Sequence, residues 1–155
     1  VDVRGKVLFE QRLRPSSLIA EGAYRVHGIR DEELATMPTF VEVYDELRRV
    51  LHGKTWAIYN VEFDTGILTR AMSASGPYAA YRPYFRTHRI DAAEEWCIMH
   101  LYAQFYGEWS NYHKSYKWQP LPDVSIGASH PAHSAIGDCL RTLDLIYSMA
   151  NYQGK

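Results

Sequence analysis

Three side chains in this sequence have the types and settings for acid–base or cation chemistry: Asp64, His133 and Asp138. Asp64 falls in Ala57-Ile58-Tyr59-Asn60-Val61-Glu62-Phe63-Asp64-Thr65-Gly66-Ile67-Leu68. This stretch reads as a short apolar strand from Trp56 to Tyr59, a polar break at Asn60, and a helix over roughly 62–73. An acid in a first helical turn complements the helix dipole, so capping competes with cation ligation as its purpose. His133 and Asp138 belong to His133-Ser134-Ala135-Ile136-Gly137-Asp138. Five residues along one helix are about 140° apart at about 3.6 residues per turn, so these side chains diverge if both are helical. They converge if His133 lies in the loop before the helix and Asp138 lies within it. His130-Pro131 fits that arrangement, because proline disfavours helix in the residue before it. A loop histidine beside a helix-anchored carboxylate suits a proton acceptor next to a cation site.

Other chemistries have weaker patterns. His130, His133 and Cys139 match no closed four-ligand zinc spacing. Cys139 is expected to pack within its helix, and Cys97 to act as a small buried hydrophobe. No Gly-x-Ser-x-Gly elbow is present to support a serine hydrolase.

The elements that must position these groups can be traced along the chain. Val1-Asp2-Val3 and Val7-Leu8-Phe9 read as extended runs joined by a turn at Arg4-Gly5-Lys6, closed by Pro15 and Ser16-Ser17. Residues 18–31 read as a connector. Thr39-Phe40-Val41-Glu42 has the form of a capping box. The helix after it carries Phe40, Val43, Tyr44, Leu47, Val50 and Leu51 at helical spacing and ends at His52-Gly53. Ser73 to Arg89 reads as a long surface connection. Ala92 to Tyr106 reads as a helix, and Pro120 as the first residue of a short one. Ala135 to Asn151 is the strongest helical pattern, with Ile136, Leu140, Leu143, Ile146 and Tyr147 on one face. Strands alternating with helices point to an α/β domain with a mixed sheet.

Composition bounds the class. With 155 residues, one domain with a proper core is expected. A net charge of −1 excludes binding nucleic acid by bulk positive charge, though not a nuclease whose metal-binding carboxylates offset its basic groups. Two cysteines make no disulfide framework, and no apolar run is long enough to span a bilayer. The N-terminus does not resemble a signal peptide, so a cytoplasmic protein with no membrane partner is expected.

On these residues the chain resembles the DnaQ-like DEDDh 3′-5′ exonucleases, the class of the proofreading subunit of bacterial DNA polymerase III. Tyr59-Asn60-Val61-Glu62-Phe63-Asp64 is similar to the second exonuclease motif. His133-x-Ala135-x-x-Asp138 is similar to the third. Val26-His27-Gly28-Ile29, followed by Pro38-Thr39-Phe40, is similar to the linker after the N-terminal sheet. Three motifs in order over residues 1 to about 150 are specific together where each alone is weak.

The resemblance implies an RNase H-like mixed sheet flanked by helices, forming a single exonuclease-like domain over residues 1–155. It also implies two-metal hydrolysis of phosphodiester bonds by Mg²⁺ or Mn²⁺, the ions about 3.5–4 Å apart. Asp64 and Asp138 would be metal ligands and His133 the general base. Val26, His27, Gly28, Asn60 and Phe63 would line the substrate site, with core packing an equal role for Phe63 and a structural role for His27. The implied partner is single-stranded nucleic acid or its 3′ ends, DNA foremost, with a polymerase, repair or CRISPR-type assembly around it.

One departure stands out. The family's first motif, Asp-x-Glu on the first strand, is absent. Asp2-Val3-Arg4 does not match it, and Asp31-Glu32-Glu33 matches by letters only, in a polar segment that reads as a loop or helix start. The fold is therefore expected to lack its first strand here, the chain to be N-terminally incomplete, and an upstream segment of roughly twenty residues to carry Asp-x-Glu. Without it, activity is expected to be lost or very weak. The alternative is a catalytically inactive DnaQ-like domain serving as a nucleic-acid-binding or assembly module.

The run from Tyr102 to Trp118 interleaves aromatics with cations. Tyr102, Phe105 and Trp118 are expected to cover the sheet and helix ends, whereas Trp109, Tyr112, Lys114 and Lys117 are placed to guide a strand.

Overall fold

A computed structural model describes residues 1–73, 82–87, 89–122 and 134–153. In chain order the elements are α1 (Glu21–His27), α2 (Asp31–Leu34), α3 (Phe40–Leu51), β1 (Thr55–Ile58), α4 (Val61–Ser73), α5 (Arg82–Thr87), β2 (Glu94–Cys97), α6 (Ile98–Tyr106), β3 (Trp109–Ser110), β4 (Ser115–Tyr116) and α7 (Ala135–Ala150). They divide into two compact units, one of Val1–Val7, Thr55–Glu62 and Glu94–Lys155, the other of Leu8–Lys54 and Phe63–Ala93.

In the first unit β1 pairs with β2 in parallel, Thr55 opposite Glu94 and Ile58 opposite Cys97. The expected helix over 92–106 is corrected here. Glu94–Cys97 is strand, and α6 begins only at Ile98. Pairing with β1 satisfies backbone groups of both strands and outweighs the local helical preference. Met99 N–H donates to Tyr59 O at 3.0 Å, so the start of α6 is tied to the end of β1. Gly107, left-handed at φ 82°, closes α6. Ile98, Met99 and Ala103 are its buried face.

Instead of one mixed sheet, the described residues form this parallel pair and a separate antiparallel hairpin of β3 and β4. The hairpin was not visible in the periodicity because each strand has only two residues. Pro120 opens no helix over 120–122, and residues 123–133 lie outside the described residues.

Helix α7 forms as expected; on the expected face Leu140, Leu143 and Ile146 are half-buried, and burial extends beyond that face. Ile136, Arg141, Thr142, Asp144 and Leu145 are buried, and Tyr147 is exposed. The Leu140 and Leu143 side meets the N-terminal turn, where a methyl at Gly5 would lie 3.6 Å from Leu140. Tyr147 Oη donates to Val3 O at 2.5 Å. That turn exists as expected: Asp2 Oδ1 accepts the Arg4 and Lys6 N–H groups at 2.9 Å each, and Gly5 sits at φ 78°. The extended runs around it form no ladder among the described residues.

The second unit is built around α3. The Glu42 carboxylate reaches back to the Thr39 N–H and hydroxyl, both at 2.7 Å, as the capping box requires. Tyr44 is 1% exposed. Its ring lies 4.6 Å from Phe85 and 5.6 Å from Phe40, and its hydroxyl meets Met72 Sδ at 3.6 Å. Phe85 belongs to α5, which lies inside the stretch expected to be a surface connection, so that expectation is corrected. A buried aromatic anchors α5 to α3, a tertiary contact with no local signal. Tyr84 Oη donates to Asp45 beside it.

The connector expected at 18–31 contains α1, which buries nothing and is held by local terms. These are the Glu21–Arg25 ion pair at 3.1 Å and the left-handed Gly28 cap. Asp31-Glu32-Glu33 starts α2, in line with its reading as a helix start. Asp31 accepts the Ile19 N–H, and Glu33 pairs with Arg12, both at 3.0 Å.

Phe85→Ala should cost about 3–5 kcal/mol, the usual loss for emptying a buried phenylalanine site. Urea denaturation of the two proteins measures it; a loss below 1 kcal/mol would place Phe85 outside the core.

Candidate active site

The strand-to-helix junction around Asn60 is held at several points. The Tyr59 carbonyl accepts Met99 N–H and lies 3.9 Å from Cys97 Sγ. The Tyr59 hydroxyl donates to Gln119 O at 2.5 Å. Burial, reinforced by Tyr102 and Cys97 nearby, pushes this phenol up to about 12, so it stays a neutral donor. Cys97 is half-buried, in keeping with the small-hydrophobe reading. Asn60 follows in the turn with an exposed side chain, and α4 begins at Val61.

Asp64 is the fourth residue of α4, where the backbone N–H groups still lack helical acceptors. The helix buries Met72. Phe63 is 60% exposed, so the core alternative for Phe63 is corrected, and its ring is open to a ligand. Asp64 is exposed at its surface, yet partial desolvation by surrounding protein raises its carboxyl above the ordinary value of 3.8. A carboxylate whose ionised form is disfavoured gains from a nearby cation.

Asp138 is organised differently. Ser134 caps α7, its Oγ accepting the Gly137 N–H at 3.1 Å, and its carbonyl accepts the Asp138 N–H at 2.9 Å. Arg141 Nη2 donates to Asp138 Oδ1 at 2.8 Å and Arg141 Nε to Gly137 O at 3.3 Å. The Thr142 hydroxyl donates to the Asp138 carbonyl at 2.7 Å. Arg141 is buried, so the Asp138 carboxylate is fixed by a cation that has itself left water. Sequence reasoning passed over Arg141 and Ser134. The Asp138/Arg141 spacing of three on one helix, and a serine immediately before it, were the available signals.

His27 ends α1, and its Nδ1 accepts the Ile29 N–H at 3.0 Å. This assigns the proton of the neutral ring to Nε2, which leaves Nε2–H as a donor toward an anion. Val26 is 60% exposed, and Gly28 is left-handed at φ 69°.

Asn60 and Asp138 thus belong to the first unit, and Val26, His27, Gly28, Phe63 and Asp64 to the second. His133 lies outside the described residues, as do His130 and Pro131, so the expected convergence of His133 on Asp138 lies there too. Cys139, expected to pack, is exposed on α7. Among the described residues, no cluster of three or more His, Cys, Asp or Glu is arranged to hold a cation. A two-ion site needs more oxygen ligands than Asp64 and an Arg-engaged Asp138 supply, so the described residues alone do not make up the expected metal centre.

A family model described as Exonuclease, of the RNase T type, matches residues 2–146. The uncharacterized exonuclease CP81 of Escherichia phage 186 is 28% identical over 154 residues, which span 97% of this chain and 76% of that protein. The epsilon subunit of DNA polymerase III from Escherichia coli (strain K12) is 42% identical over 60 residues, and that of Salmonella typhimurium 38%. In both subunits the match spans 39% of this chain and 25% of the relative.

The raised Asp64 carboxyl gives a signed expectation. The folded chain holds this proton more tightly than the unfolded chain, so stability falls as pH rises through 3.8 toward the folded-state value, and ionised Asp64 is a cost at pH 7. Asp64→Asn should therefore melt higher than the parent at pH 7, with the gain shrinking below pH 3.8. A lower melting temperature at pH 7 would contradict the desolvated setting.

Proposed function

The chain belongs to the exonuclease family of RNase T type and is DnaQ-like, and we propose that it removes nucleotides from the 3′ ends of nucleic-acid strands, DNA foremost. Family membership implies an RNase H-like α/β fold, with which the mixture of helices and small sheets agrees. The observation that best supports the proposal is the junction at Asn60. There, a helix-start carboxylate with a raised affinity for its proton sits beside an exposed Phe63 and follows an exposed Asn60.

Each residue then has a role. Asp64 and Asp138 contribute carboxylates to a divalent-cation site for Mg²⁺ or Mn²⁺, completed by ligands beyond these two. Such ions, when bound, supply Lewis-acid activation of water and charge stabilisation at the leaving 3′ oxygen. Arg141 positions Asp138 by engaging Oδ1, which leaves Oδ2 for another partner. His133 accepts the proton of the attacking water. Asn60, Phe63 and the Val26-His27-Gly28 segment contact the terminal nucleotide, Phe63 by stacking and His27 through Nε2–H.

The nucleic acid is the primary partner, and a polymerase, repair or CRISPR-type assembly is the setting in which such a domain would act. No described helix is long and apolar enough to cross a membrane.

A second reading, a nucleic-acid-binding or assembly module without catalysis, draws on one specific observation. The Asp-x-Glu letters at Asp31-Glu32-Glu33 open helix α2 and not a strand. The two readings separate in one assay on a 5′-labelled single-stranded oligonucleotide with Mn²⁺. Catalysis predicts shortening that falls by about 10²–10⁴-fold in His133→Ala, the usual contribution of a general base. Shortening that persists at the parent rate in His133→Ala would remove the assigned base; binding with no shortening by the parent protein would favour the second reading.

A further inference from the structure

The β3–β4 hairpin is patterned against the usual sense of a packed hairpin. Trp109 stands opposite Tyr116 in the register, and Ser110 opposite Ser115. Directly opposed residues share a face, and so do residues two apart along a strand. Lys117 N–H donates to Glu108 O at 2.8 Å, which carries the pairing one step beyond β4 and places Trp118 opposite Gly107. Trp109, Tyr116 and Trp118 therefore line one face of the hairpin.

Burial runs the wrong way for a core-facing hairpin. Ser110 is 7% exposed, whereas Trp109 is 48%, Tyr116 39% and Trp118 66% exposed. Ser110 faces in although Ser115 opposite it is exposed, and the aromatic rings face out. The expectation that Trp118 covers the sheet and helix ends is corrected, and so is the same expectation for Phe105, which is 45% exposed. Contiguous exposed rings of this kind need a use, since leaving them in water forgoes their burial.

The face is also ordered. The Trp109 and Tyr116 rings meet edge to face at 5.2 Å. The Trp118 ring stacks on His100 of α6 at 5.9 Å and 27°, with no side chain opposite it at Gly107. Glu108 ties the base of the hairpin through Lys117 Nζ at 2.5 Å and Gln119 Nε2 at 3.4 Å. The hairpin thus carries two lysines against one glutamate, in a chain whose net charge is −1. Lys114 closes the turn at φ 53°, its N–H donating to Ser110 O at 2.8 Å, and His113 and a Tyr112 that is 89% exposed are beside it.

We propose that this face is a stacking platform for single-stranded nucleic acid, with bases laid on Trp109, Tyr116 and Trp118 and the backbone phosphate drawn to Lys114. The occupant follows from the chemistry. Flat π-faces at hairpin spacing accept unpaired bases of any sequence, and the local positive excess suits a polyanion. A duplex hides its base faces and cannot use them. The platform deepens the exonuclease reading and rests on it for the substrate class: it would hold the strand away from the reacting end and favour long single strands over very short ones.

The test uses a fluorescein-labelled oligothymidylate with the full chain in EDTA, so that binding is read without hydrolysis. Trp109→Ala and Trp118→Ala should each weaken binding about fivefold or more, and Trp118→Phe should retain most of it. Lys114→Ala should reduce the slope of log affinity against log salt by about 0.7. Hydrolysis of a dinucleotide with Mn²⁺, which offers too few bases to occupy the three rings, should be unchanged in all four variants. Thermal melting confirms that each variant is folded, and an alanine variant that does not fold is replaced by Trp109→Leu or Trp118→Leu. Unchanged affinity in the folded alanine or leucine variants of Trp109 and Trp118, or a duplex bound as tightly as the single strand, overturns the platform. If the dinucleotide is still cleaved in that case, the exonuclease reading stands. Aromatic-dependent binding with no cleavage of any substrate supports the platform and removes the catalytic reading instead.

Discussion

The parallel pairing of Thr55–Ile58 with Glu94–Cys97 is the constraint on which the functional junction depends. Two parallel strands alone are a marginal structure in water, and parallel sheets are normally covered on both faces. Here β1 buries Trp56 while Thr55 and Ala57 remain exposed. What the pairing secures is position. It determines where β1 ends, the bond from Met99 to the Tyr59 carbonyl then ties α6 to that end, and the Tyr59 hydroxyl adds a second anchor at Gln119. Asn60 follows directly from the end of that strand.

The two carboxylates are prepared in opposite ways. Partial desolvation disfavours the ionised form of Asp64. Asp138 is held by a buried guanidinium and by a capped, internally bonded helix start. A carboxylate of the first kind gains most from an arriving cation, and one of the second kind contributes a fixed direction.

Much of this was legible in sequence where local terms dominate. The Thr39/Glu42 capping box, the apolar spacing from Phe40 to Leu51, the break at Asn60 and the long helix from Ala135 each follow from residues within one or two turns. The misses share a different cause. Glu94–Cys97 is strand because β1 lies beside it, and α5 is anchored because Phe85 meets Tyr44 far away in sequence. Neither contact has a local signature. The hairpin inverted the usual rule that large apolar residues point inward, so Trp118 was expected to be covered and is not. For the candidate site, Asn60, Phe63, Asp64 and Asp138 stand out in the sequence by type and order, whereas the bond from Arg141 to Asp138 required attention to their spacing.

The central claim is that this chain releases nucleotides from a 3′ end. The most direct measurement is mass spectrometry of the products formed from a single-stranded oligonucleotide blocked at its 5′ end, incubated with the full chain and Mn²⁺. The account predicts 5′-mononucleotides together with a series of oligonucleotides shortened one residue at a time from the 3′ end, each keeping its 5′ block. Internal fragments, shortening from the 5′ side, or an intact oligonucleotide after prolonged incubation would contradict it.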